Sequence, residues 1–162
     1  FFRETGLDTV VFRIANPYGP GAQMRTHEYC IVNWFLGQLM KGNDIKIYGD
    51  GNQIRDYIFI DDLVNAYLLA GVSKNASGQI FNVGSGVGVR FKDMVDSLIE
   101  IVGGGKSIEV PWPENYHNIE TGDYVTDISK IKKLLNWEPK THLLDGLKIT
   151  YEFYKRFGEY YF

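Results

Sequence analysis

Cysteine is almost absent: Cys30 stands alone among 162 residues, so no internal disulfide can form. With no secretory leader read at the start, the expected setting is a reducing cytoplasm. Neither charge dominates, because 17 basic and 20 acidic side chains leave a net charge of −3. That balance offers no basic stripe for a nucleic acid or an acidic membrane surface. Long apolar runs are missing too; charge or glycine breaks each one well short of a membrane-spanning length. Low-complexity linkers and internal repeats are also lacking, so one α/β unit over 1–162 is expected.

Aromatic residues are what the chain has in quantity, at 15%, including eleven tyrosines. The order of elements follows from pattern. Residues 1–6 (FFRETG) read as a last helical turn closed by a Gly cap, the expectation for a chain cut from something longer. Residues 9–15 (TVVFRIA) form a β-branched apolar run suited to a buried parallel strand. NPYGPG at 16–21 then reads as a loop, and Thr26 as the cap of a helix running to Met40. Strands are predicted at 44–48 and 57–60, followed by a helix capped by Asp61 or Asp62 and containing Leu63, Val64, Tyr67 and Leu68. A strand at 79–83, a helix at 91–102, a strand at 107–110, a helix capped by Asp127 and a final helix at 142–157 complete the alternation.

Several tempting motifs fail. Gly84-Ser85-Gly86-Val87-Gly88 follows a strand and precedes a helix, yet Val89 stands where the third glycine of G-x-G-x-x-G belongs. A strand-to-helix turn is the better reading. Gly105-Lys106-Ser107 lacks the leading glycine of a P-loop, since position 100 is Glu100. His27 and Cys30 have no further ligands to complete a metal set, and no nucleophilic triad stands out. Asn82 is assigned to structure, as a polar residue near a strand end.

Three segments carry chemistry. In R-I-A-N-P-Y-G-P-G (13–21), Asn16 follows a buried strand at its carboxyl end, where open α/β sheets bind ligands. In Y-G-D-G-N-Q-I-R-D-Y-I-F-I-D-D (48–62), Tyr48 and Arg55 flank a tight turn. Such a pair is the equipment for covering a flat base with an aromatic ring and gripping a phosphate with a planar guanidinium. F-N-V-G-S-G (81–86) is the third.

Their order resembles the C-terminal half of the extended short-chain dehydrogenase/reductase family, the NAD-dependent nucleotide-sugar epimerases and dehydratases. That family carries R-x-x-N-x-Y-G-P, then Y-G-D-G-x-x-x-R-D-Y, then [FY]-N-[VIL]-G, and closes with D-x-S-K-x-x-x-x-L-x-W-x-P. The last piece is matched by Asp127-Ile128-Ser129-Lys130 through Trp137-Glu138-Pro139. The resemblance spans about 1–157. It implies the C-terminal portion of an extended Rossmann-type α/β fold, with the last parallel strands and a small substrate-binding part.

It also implies roles. Asn16 and Arg55 would meet the diphosphate, Tyr48 the nucleobase and Asp123 the ribose, while the backbone at Ile14 and Ala15 would lie near the nicotinamide of NAD. Alternatives remain for three of these residues: Asn16 as a loop cap, Tyr48 as core, Arg55 as the surface partner of Asp56 or Asp61. The family's usual R-x-G-D is here Glu120-Thr121-Gly122-Asp123, with acid replacing Arg. The family's glycine-rich NAD loop and Tyr-x-x-x-Lys catalytic pair lie N-terminal to the region matched. The chain alone is therefore expected to be inactive and not to bind NAD appreciably. In the parent, NAD would oxidise the sugar at C4 and return the hydride. A 4-epimerase leads over a 4,6-dehydratase because 21–41 lacks a Pro-Glu-Lys-Leu stretch. A stand-alone nucleotide-sugar-binding or regulatory domain is the rival from another class. Self-association through an apolar edge at 9–15 is also expected.

Overall fold

The computed structural model describes residues 2–114 and 122–161; Phe1, Glu120 and Thr121, which figure in the sequence reading, lie outside them. The chain opens with a short helix α1 (Phe2–Thr5), closed by Gly6 at φ 69°, whose N–H reaches the Phe2 carbonyl at 3.0 Å. Strand β1 (Val11–Ile14) leads through Ala15 directly into β2 (Asn16–Tyr18). The two differ in partner. β1 runs parallel to β5 (Ile80–Val83), whereas β2 runs parallel to β4 (Ile54–Phe59). So 16–18 is strand rather than the expected loop. Pro17 is tolerated because β2 is the edge of its sheet, where a missing N–H costs little.

Helix α2 (Ile31–Met40) begins later than the pattern suggested, with Cys30 rather than Thr26 at its cap position. Thr26 is diverted into a local turn: Gln23 Oε1 accepts the N–H groups of Arg25 and Thr26, and Gln23 Nε2 donates back to the Thr26 carbonyl. After β3 (Ile45–Tyr48), the turn through Gly49 and Gly51 reaches β4, which starts three residues earlier than expected. Its first half pairs antiparallel with β6 (Gly88–Arg90), a strand too short for its own pattern to announce, and its second half pairs with β2.

Helix α3 (Ile60–Val72) is not capped by Asp61 or Asp62; the extended Phe59 precedes it and both acids fall in its first turn, where the helix dipole favours them. Its buried face is Leu63, Ala66 and Ala70, while Val64, Tyr67 and Leu68 remain exposed. Small alanines let the helix lie close to the sheet, while Tyr67, though partly exposed, packs edge-on against Phe12 of β1 with ring centroids 4.8 Å apart. Helix α4 (Phe91–Val102) ends at Gly103 in the left-handed conformation, φ 76°. Strand β7 (Ser107–Val110) pairs parallel with β3, and α5 (Ser129–Leu135) and α6 (Leu143–Phe157) follow. Asp127 is not itself the cap of α5: Ile128 holds that position, and Asp127, one residue earlier, accepts the Ser129 N–H on its Oδ1 at 2.9 Å, which holds its carboxyl below the usual range.

Two apolar cores share β4 as a wall. Tyr57 and Phe59 pack into one with α2, α4 and α6, while Ile58 faces the other with Phe81, Val83, Ile131 and Trp137. Period-two alternation on a single strand explains the division. Among the described residues no helix is long and apolar enough to cross a membrane.

Candidate functional site

The parallel pair β3–β7 builds the site. Both strands point their carboxyl ends the same way, with Tyr48 opposite Val110, and Gly49 N–H bonds the Val110 carbonyl at 2.9 Å. On β3, Ile45 and Ile47 are buried, so Lys46 and Tyr48 project from the other face. Two residues past β7, Trp112 sits between Pro111 and Pro113 and meets Tyr48 with ring centroids 5.5 Å apart and planes inclined at 37°. Gly49 makes this possible. It holds φ 67°, and a Cβ there would overlap the indole Nε1 of Trp112.

These groups line a cavity of about 370 Å³ together with His27, Trp34, Lys46, Gln53, Arg55 and Phe91. Its size suits a small molecule, and its aromatic walls with a few polar and cationic groups are the usual composition of such a site. Arg55 Nη1 donates to the carbonyls of Ile54 at 2.9 Å and Gly122 at 2.7 Å. The guanidinium is therefore aimed by backbone, rather than left to the surface pairing with Asp56 or Asp61 weighed from sequence.

Of the candidate residues, the structure brings Tyr48 and Arg55 to one cavity. Asp123 lies beside them without lining it; its Oδ1 accepts the Ile54 N–H at 2.8 Å, one residue from Arg55. Asn16 does not line the cavity either. Its Nδ2 donates to the Asp56 carbonyl at 2.9 Å, bracing β2 against β4. Ala15 is buried and its N–H bonds the Val83 carbonyl, while Ile14 is exposed on β1. Asn82 stands half-buried on β5, in register with Arg13.

Trp112, Trp34, Lys46 and Gln53 were not singled out from sequence, and His27 only as half of a rejected metal pair. The usable signal for Trp112 was its place in a proline-bracketed loop just after a parallel strand. His27 packs its ring against Trp34, centroids 5.5 Å apart. Among the described residues no group of three or more His, Cys, Asp or Glu could hold a metal ion. Cys30 is half-buried; its thiol donates to the Pro17 carbonyl and to Asn33 Oδ1, and burial pushes its pKa up.

The glycine-rich turn after β5 proves to be occupied by the protein itself. The amides of Ser85 and Gly86 converge on the buried carboxylate of Asp56 at 2.7 and 3.1 Å. Successive N–H groups of this kind make an anion-binding concavity, and here the anion is a side chain. The turn is no free cradle for a pyrophosphate.

The chain is 34% identical over 152 residues to the UDP-glucose 4-epimerase of Mycolicibacterium smegmatis, a match covering 92% of this chain and 46% of that protein. It is 30% identical to a dTDP-glucose 4,6-dehydratase of Streptomyces griseus, over 93% of this chain and 44% of that one. Among solved structures, the UDP-glucose 4-epimerase of Thermotoga maritima with UDP-glucose superposes with a TM-score of 0.86 at 34% identity, covering 96% of this chain and 48% of that one. The chain thus spans about half the length of the relatives it matches. The model of the NAD dependent epimerase/dehydratase family matches residues 1–84, more than half of the 162, and the chain belongs to that family.

Proposed function

We propose that this chain is the carboxyl-terminal, substrate-binding part of an NAD-dependent nucleotide-sugar 4-epimerase. One observation carries the reading: Tyr48 at the end of β3 and Arg55 on β4 share one aromatic-walled cavity with Trp112, Trp34 and Lys46. In this reading the base lies against Tyr48 and Trp112, and the diphosphate meets Arg55; Asn16, which lies outside the cavity lining, would meet it only where the ligand extends beyond the cavity. Asp123 approaches the ribose. The four matched motifs fall in family order along the chain. The family model's match stops at residue 84 while the likeness to the Thermotoga maritima enzyme continues over 96% of the chain, as suits a family model ending inside it. The lead of epimerase over dehydratase rests on the missing Pro-Glu-Lys-Leu stretch in 21–41 and on the higher identity to the epimerase.

For NAD, the described residues fit only part of the molecule. Ile14 and Ala15 offer backbone near a nicotinamide, but the amides of the one glycine-rich turn after β5 already hold Asp56. The pyrophosphate site and the proton-transferring pair therefore belong to other residues of the parent, and the chain alone turns nothing over. The setting is cytoplasmic. β1 bonds β5 through Val11, and the alternation of a strand turns the backbone groups of Phe12 and Ile14 to its opposite edge. That apolar edge, with exposed Leu7, Val11 and Ile80 nearby, supports pairing with a second copy when nothing else covers it.

Titration of UDP-, dTDP-, GDP- and CDP-sugars into the chain, and into the full product of its reading frame, tests this. Binding of one class by both, with C4 epimerisation by the full product alone, is the expected result. Turnover by the 162-residue chain, or a reading frame without a glycine-rich loop and a Tyr-x-x-x-Lys pair, overturns it.

A further inference from the structure

Arg55 and Asp56 are neighbours on β4, so their side chains leave the strand on opposite faces. Arg55 lines the cavity, whereas Asp56 is fully buried on the other side. A buried carboxylate is costly unless its oxygens are satisfied. Here Oδ1 accepts the Ser85 N–H at 2.7 Å and the Ser85 hydroxyl at 2.6 Å, and Oδ2 accepts the N–H groups of Gly86 at 3.1 Å and Thr126 at 3.0 Å. Two remote segments are thus tied to one strand by a single side chain. Gly84 leaves the room, because a Cβ there would collide with both Asp56 Oδ2 and Thr126 Oγ1.

The bond to Thr126 has a consequence in the cavity. With Thr126 anchored, the preceding residues lie along the start of β4: Tyr124 N–H bonds the Ile54 carbonyl at 3.0 Å, and Asp123 Oδ1 takes the Ile54 N–H. Gly122 then presents its carbonyl to Arg55 Nη1 at 2.7 Å. The path from Asp56 through residues 126–122 returns to the guanidinium next door. We propose that Asp56 is a positioning residue for the ligand cavity. It touches no ligand itself; it uses the glycine-rich turn as an internal anion holder and fixes the 122–126 segment that aims Arg55. This rests on the reading of the cavity as a nucleotide diphosphate site.

Asp56→Asn replaces an acceptor oxygen by an NH2 that faces amide donors, so the segment should loosen without a change of size. UDP is the probe, titrated calorimetrically into the wild-type chain, Asp56→Asn, Arg55→Ala and the double variant. The expected loss for Asp56→Asn is about tenfold, a loss of the size that goes with a weakened charge-assisted bond to phosphate. In the Arg55→Ala background the same change should cost less than about twofold, because coupled residues are not additive. Full additivity, or wild-type affinity in Asp56→Asn, overturns the proposal. The Arg55 Nε–H signal in NMR relaxation supplies a second readout independent of ligand. It should become mobile in Asp56→Asn, and a signal as rigid as wild type overturns the proposal even if UDP binds nowhere. Failure of the wild-type chain to bind UDP counts against the cavity reading alone. Should Asp56→Asn not fold, Ser85→Ala removes only the hydroxyl bond and should shift both readouts the same way by a smaller factor; no shift in either overturns the proposal.

Discussion

Gly49→Ala puts the strongest demand on the cavity's geometry. The new methyl would overlap Trp112 Nε1 and lie 3.2 Å from its Cδ1, on a residue held at φ 67°. The backbone penalty for a side chain in this left-handed region is about 1–2 kcal/mol. The clash cannot be relieved by the backbone, because Gly49 N–H is tied to the Val110 carbonyl, so the indole must swing off Tyr48. If Trp112 covers the base, the lost stacking is worth about 1–3 kcal/mol, roughly 5- to 150-fold in affinity. Tryptophan fluorescence during UDP titration reads both effects. Trp34 and Trp112 line the cavity, whereas Trp137 is buried elsewhere with its Nε1 donating to the Asp62 carbonyl. Gly49→Ala should show weaker binding and a smaller quench. Gly51→Ala is the control: it has the same backbone at φ 68°, but its added methyl meets Ile47 and Lys92 rather than Trp112. It should lose stability and keep its affinity. A Gly49→Ala chain that binds and quenches like wild type would refute the placement of Trp112 over the base.

Arg55→Ala should weaken UDP binding by about ten- to a hundredfold, the range for a lost charge-assisted pair, with calorimetry as the check; a change within about twofold would reduce Arg55 to a structural cation. Alkali should unfold the chain through its buried phenols. Burial raises the pKa values of Tyr18, Tyr57 and Tyr154, the last to about 12, so their contribution is complete below the unfolded value of about 10 and is lost as pH rises towards the folded ones. Melting temperature should fall between pH 10 and 12, with late tyrosinate absorbance, and a flat profile there would contradict the burial of these rings. Light scattering at micromolar concentration should show the chain associating with itself; a clean monomer would mean that the outer edge of β1 is covered by its own chain.

The elements most legible in the sequence were those with local punctuation. Helix α4 and strand β7 fall where the pattern put them, because Gly103 takes the left-handed cap and β-branched residues follow the glycines. Where tertiary partners decide, local pattern misled. β6 owes its strand character to β4, and Thr26 had the chemistry of a cap but was claimed by Gln23. Tyr48 and Arg55 were found by motif, yet Trp112 was not, since its contact with Tyr48 exists only because β7 pairs with β3. Asp56 stood in view beside Arg55. Its role became readable only when β4 was seen to begin at Ile54, which puts the two side chains on opposite faces.

The cavity between β3, β4 and α2, walled by Trp112, receives a nucleotide diphosphate in this reading. The most direct test is a residue-by-residue NMR map of the 162-residue chain during titration with UDP. The account predicts that the indole signals of Trp112 and Trp34 and the backbone signals of Tyr48 and Arg55 shift together with one saturating curve. Shifts centred on the amides of Ser85 and Gly86, or none at all in the cavity at millimolar UDP, would contradict it.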